Sequence, residues 1–184
     1  MGTSIEQQLL HSLDLPQGVS AALDDRTLTV RGPLGSVKKA FERIIVDLEV
    51  EGNRVNLRPF TKKKKDVVTA NTAHSLVRNM VVGVTQGFTY KLKVVYAHFP
   101  VSVKFKEGVV VIENFMGERS PRTATIIGDC KVTAEGDDII IKGVSVEDVG
   151  QTAANIEHAT RVKRKDQRIF LDGIYIYEKK RGWQ

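Results

Sequence analysis

The chain has 184 residues, 41% hydrophobic and 27% charged, with 28 Lys and Arg against 22 Asp and Glu for a formal net charge of +6. That length fits one sizeable domain or two small ones of about 80 to 90 residues, and the apolar share is too high for a disordered chain. No stretch nears the roughly 20 apolar residues of a membrane span, Met1 to Leu15 lacks the basic start and apolar run of a secretory leader, and the single cysteine, Cys130, fits a reducing compartment, so a soluble cytoplasmic protein is expected.

In chain order, Ile5, Leu9, Leu10 and Leu13 predict a short amphipathic element within residues 1–15. Val19 to Gly35 reads as strand, acidic turn, strand, and a loop closed by glycine. Glu51-Gly-Asn-Arg54 is a polar turn feeding a strand, the mark of a hairpin. Lys62 to Lys65 form an exposed run just before a helix, either a solvated face or a contact for phosphates. That helix opens at Asp66, carries Val67, Ala73, Val77, Met80 and Val81 at apolar spacing, and is expected to close at Gly83. Thr89 to Pro100 is a strand-like link, too apolar to be floppy.

The second half then repeats the first. Val19–Gly35 aligns without a gap on Val101–Gly117 at an offset of 82 residues, and Glu51–Arg58 matches Glu135–Lys142. A second helix begins at Ser145-Val-Glu-Asp148, a capping box with carboxylates at the positive end of the helix dipole. It continues through Val149, Ala153, Ile156 and Ala159. Three matches in one order indicate duplication. The expected fold is α+β, two tandem duplicated domains (1–88 and 89–184), each a small, mostly antiparallel sheet with one helix packed on one face.

The charge is unevenly spread. Residues 1–60 hold 7 Lys and Arg against 8 acids, residues 61–160 hold 13 against 11, and residues 161–184 hold 8 against 3. A concentrated basic stretch favours a polyanion, which releases counterions on binding. Ile169, Phe170, Leu171, Ile174, Tyr175, Ile176 and Tyr177 interleave with the charges, so the tail is expected to be ordered at least in part and to remove these side chains from water.

Signs of catalysis are missing. His11, His74, His98 and His158 are scattered, with no ligand partners at metal-binding spacing, and Cys130 has no histidine near it in sequence. Gly32-Pro-Leu-Gly35 cannot cradle a phosphate, because Pro33 lacks the needed N–H. Asp137-Asp138 sits at a hairpin tip. No cofactor, metal or small-molecule substrate is expected. Basic segments suit RNA instead: Arg119 and Arg122 around Ser120-Pro121, where guanidinium groups make two-pronged phosphate ligands; Arg161, Lys163, Arg164, Lys165 and Arg168 at the end of the second helix; and Lys179, Lys180 and Arg181 before Trp183. Trp183 could stack on a base or fold back on its domain.

Several longer motifs converge on one family. His74–Met80, Gly83–Leu92, Val95–Pro100, Asn114-Phe-Met-Gly-Glu118 and Lys165-Asp-Gln-Arg-Ile-Phe-Leu-Asp-Gly-Ile-Tyr175 resemble the sixth large-subunit ribosomal protein family in its archaeal and eukaryotic form. Phe170–Tyr175 separates that form from the bacterial branch, and the short extension after Tyr177 resembles the archaeal members. The resemblance implies two duplicated α+β domains and no enzymatic activity. It implies a structural place in the cytoplasmic large ribosomal subunit, bound to large-subunit rRNA near the docking site of translational GTPases and the sarcin–ricin loop, beside neighbouring ribosomal proteins. On that reading Arg119, Arg122, Arg161, Lys163, Arg164, Lys165, Arg168, Lys179, Lys180 and Arg181 meet rRNA, and the first domain, close to neutral over residues 1–60, does so through Lys62, Lys63, Lys64 and Lys65. The alternative is a free-standing two-domain RNA-binding regulator.

Overall fold

The computed structural model describes residues 11–163, 165, 166 and 168–183. Ile5, Leu9 and Leu10 of the expected N-terminal element, and Arg164, lie outside them. Leu13, which that element was to include, stands in a strand instead. The chain divides into two units, Met1–Gln86 and Gly87–Gln184.

The first unit contains β1 (His11–Asp14), β2 (Ser20–Asp24), β3 (Thr27–Gly32), β4 (Gly35–Ala40), β5 (Asp47–Glu51), β6 (Arg54–Arg58) and helix α1 (Lys64–Thr85). Two antiparallel three-stranded sheets form, ordered β2-β3-β4 and β1-β6-β5. Two sheets per unit replace the one expected, because the hairpins pair locally before the chain crosses over. The β5–β6 turn is the two residues Gly52-Asn53 between the paired Glu51 and Arg54, with Gly52 at φ +57°. Alternation in β3 buries Leu28 and Val30, which meet a core of Phe41, Val46, Val55 and Leu57. Helix α1 closes over them with Ala70, Ala73, Val77, Met80 and Val84. Each large side chain so buried contributes about 1.5–3 kcal/mol.

Helix α1 does not stop at Gly83. That glycine is buried inside the last turn, and the helix runs to Thr85. Gly87, at φ +76°, is where the chain turns away. The Gly32-Pro-Leu-Gly35 loop docks against the helix end. The Leu34 N–H donates to the Val84 carbonyl at 3.0 Å, and a Cβ on Gly32 would lie 2.8 Å from that same oxygen. Close packing therefore explains the glycine.

The second unit contains β7 (Phe88–Val95), β8 (Ser102–Lys106), β9 (Val109–Glu113), a 3-10 turn (Phe115–Gly117), β10 (Arg122–Thr125), β11 (Lys131–Glu135), β12 (Asp138–Gly143), α2 (Val146–Ala159) and β13 (Gly173–Arg181). Its sheets are β8-β9-β10 and β11-β12-β7-β13. The run read as a link is thus a central strand, hydrogen-bonded to β12 on one side and β13 on the other. Ser145 caps α2 as its sequence predicts, its hydroxyl accepting from the Asp148 N–H at 3.2 Å. The helix touches both sheets and buries Val149, Thr152, Ala153 and Ile156. Element for element, β1 to β6 and α1 correspond to β7 to β12 and α2, as the repeat requires.

Candidate nucleic-acid interface

Three loops of the second unit are tied together. Thr160, buried just past α2, sends its hydroxyl to the Glu157 carbonyl at 3.1 Å while accepting the Ile174 N–H at 3.0 Å. That fixes the two ends of the intervening loop, 161–172. Asp172, also buried, accepts the Ala97 N–H at 2.9 Å, joining this loop to residues 96–100. Asn114 in turn donates to the Pro100 carbonyl at 3.0 Å. Asn114, Met116 and Gly117 all lie in the left-handed region, so the 114–121 loop turns tightly, and Gly117 has Phe99 against it.

The rim of this cluster is basic and unexpectedly apolar. Arg119, Arg161, Lys163, Lys165 and Arg168 are exposed. Arg168 pairs with Asp166, its Nη2 3.0 Å from the carboxylate, and this bond holds the Asp166 carboxyl below its usual range. The Lys165 ammonium stands 4.6 Å from the centre of the Phe170 ring. Between these charges Ile169 is 74% and Leu171 61% exposed, with Tyr96, Phe99 and Tyr175 also in water. The expectation that the tail's apolar residues leave solvent holds fully only for Ile174. The sequence carried a signal for this: Ile169-Phe-Leu171 follows neither a helical nor a strand period and is flanked by charges.

Arg122 departs from its expected role. Its guanidinium forms a two-pronged bond to Glu118 at 2.8 and 2.6 Å. The same group donates to the carbonyls of Ala159 at 2.9 Å and Arg161 at 3.2 Å, and it lies 4.4 Å from the centre of the Phe115 ring. Four of its five N–H directions are therefore used inside the unit. The hydrogen bond from Arg122 also keeps the Glu118 carboxyl more acidic than normal, with Lys165 adding to the effect. Arg122 joins β10 to the end of α2, which leaves its neighbour Arg119 as the outward-facing arginine of that loop.

The remaining basic residues are elsewhere. Lys179, Lys180 and Arg181 occupy the far end of β13, about 20–26 Å along the strand from the loops, so the tail's charges form two groups. Lys180 pairs with Glu178 at 2.8 Å, and Lys179 stands 5.4 Å from the Tyr90 ring centre. Trp183 folds back: its indole N–H donates to the Gly143 carbonyl at 3.4 Å, and it packs on Gly87, where an added Cβ would come within 2.0 Å of the ring nitrogen. Lys62 to Lys65 are exposed at the start of α1, Lys64 and Lys65 in its first turn.

Among the described residues, no group of three His, Cys, Asp or Glu side chains could hold a metal. Burial pushes the Cys130 thiol up in pKa, away from the reactive thiolate.

A family model described as Ribosomal protein L6 matches this chain twice, over residues 15–87 and 99–173, one match for each repeat. Proteins named large ribosomal subunit protein uL6 are similar along nearly their whole length. That of Methanothrix thermoacetophila is 42% identical over 174 residues, covering 95% of this chain and 99% of its own. That of Methanobrevibacter smithii is 44% identical, covering 91% and 94%, and that of Desulfurococcus amylolyticus is 45% identical, covering 91% and 92%. With both repeats matched and this degree of identity from end to end, the chain belongs to the ribosomal protein L6 family.

Proposed function

We propose that the chain is a structural constituent of the large ribosomal subunit, and that it binds large-subunit rRNA with the loop end of its second unit, near the docking site of translational GTPases and the sarcin–ricin loop. Membership of the family carries the structural role, which is not enzymatic, and the cytoplasmic setting of the subunit. The observation that supports the RNA-binding face is the loop cluster: Arg119, Arg161, Lys163, Lys165 and Arg168 ring exposed apolar side chains on loops fastened by Thr160, Asp172 and Arg122. Cations held on a stiff frame meet phosphates at little entropic cost, and exposed apolar and aromatic groups among them suit non-helical RNA. Arg164, outside the described residues, is assigned to rRNA from its sequence position alone. Lys179 to Arg181 and, on the first unit, Lys62 to Lys65 make separate contacts, and neighbouring ribosomal proteins flank the first unit.

Sedimentation of cell extract tests the assignment. The chain is expected to travel with the large subunit after a high-salt wash. Recovery only in the soluble top fractions would instead identify a free-standing regulator. At the RNA level, replacing Lys163 and Lys165 by Ala should weaken binding to a large-subunit rRNA transcript. It should also lower the log–log salt slope by about one unit for each lost phosphate contact; an unchanged slope would remove these two lysines from the interface.

A further inference from the structure

A groove of about 290 Å³ opens between the end of α2 and the start of β13, lined among others by Glu157, His158, Arg161, Val162, Phe170 and Tyr175. Its aromatic walls are preformed. Gly173 lets the Tyr175 ring lie down against the backbone, since a Cβ there would come within 2.8 Å of that ring, and the Tyr175 hydroxyl donates to the Leu171 carbonyl at 3.3 Å. The Phe170 N–H is bonded to the Asp166 carbonyl at 3.0 Å, which sets that residue's place in the loop. The neighbouring carboxylates of Asp166 and Glu118 are each paired with an arginine, whereas the Glu157 carboxylate is half-buried at the groove and has no hydrogen-bond or ion-pair partner among the described residues.

From this we infer that the groove holds one unpaired nucleobase, and that guanine is the preferred one. This rests on the RNA-binding reading of the same loops and makes it specific. Aromatic side chains give a base a stacking surface without regard to its identity. An ionised carboxylate only accepts hydrogen bonds. Guanine alone among the four bases presents two adjacent donors, its N1–H and exocyclic amine, on the Watson–Crick edge. Adenine and cytosine set a ring acceptor beside their amine, and uracil places its N–H between two carbonyls, so each would bring an acceptor against Glu157. The exposed Arg161 is positioned for the phosphate of the same nucleotide. A carboxylate in a phosphate-binding face costs affinity for the backbone, and base recognition supplies the compensating interaction.

The test uses the full chain with the pentanucleotides UUGUU, UUAUU and UUUUU at one fixed salt concentration, together with a large-subunit rRNA transcript. UUGUU should bind about ten-fold tighter than the other two. Phe170→Ala should remove most of that advantage, and Glu157→Gln should bring UUGUU and UUAUU close together, with both variants retaining salt-dependent binding to the transcript. Equal affinities for the three pentanucleotides, or an unchanged order in Glu157→Gln, would overturn the base site while leaving the rRNA role intact. Loss of salt-dependent binding to the transcript by the unaltered chain would instead overturn the rRNA reading itself.

Discussion

Arg119 and Arg122 are chemically alike and three residues apart, yet they do different work. In sequence both stand beside Ser120-Pro121 and either could reach for a phosphate. What separates them is a set of acceptors 37 and 39 residues further on, the carbonyls of Ala159 and Arg161, which no local pattern reveals. Arg122→Ala should therefore destabilise the second unit by about 2–3 kcal/mol, because it leaves carbonyls and the Glu118 carboxylate without their donors. Arg119→Ala should cost under about 0.5 kcal/mol. Urea unfolding of the two variants measures the difference, and equal midpoints would remove Arg122 from its structural role. Trp183 illustrates the same blindness: its resting place on Gly87 is set by a residue 96 positions earlier. The Ser145 cap, by contrast, was legible because its partner is three residues away.

Elements were read well where period and capping are local, and poorly where they end against something distant. Both helices are where their apolar spacing puts them, and α1 overran Gly83 only because tertiary packing accepts a buried glycine there. The loop from 161 to 172 was harder, since Ile169, Phe170 and Leu171 looked like core and stand in water. Between β1 and α1 the rings of His11 and His74 lie 5.6 Å apart. Burial, then the charges of His11 and Arg78, push the His74 pKa below its ordinary 6.5. The folded state thus favours neutral His74, and the unfolded chain takes up the proton first. Stability of the first unit should fall as pH drops below about 6.5 and level off once folded His74 is also protonated. The urea midpoint of His74→Gln should depend less on pH over that interval; an identical pH dependence would show that this contact is not the source.

At the scale of the whole molecule, duplication was readable from a few spaced matches, because strand, turn and helix signals recur in one order. The place of β7 in its sheet was not, since it looks like a connector until its two hydrogen-bonded neighbours are known. A fragment of residues 87–184 should fold by itself, as judged by circular dichroism and a cooperative melt, whereas residues 99–184, which cover the second family match, should not. Removing β7 leaves β12 and β13 without the strand between them. If the shorter fragment melted cooperatively, β7 would be dispensable. The segment leaving α1 enters the next repeat's sheet, whereas the segment leaving α2 turns back into its own as β13. Among the described residues, the second unit therefore holds one strand, β13, with no counterpart among β1 to β6 of the first. Lys179, Lys180 and Arg181 on that added strand, and Trp183 just after it, thus give the second repeat a basic, tryptophan-bearing edge that the described elements of the first do not share.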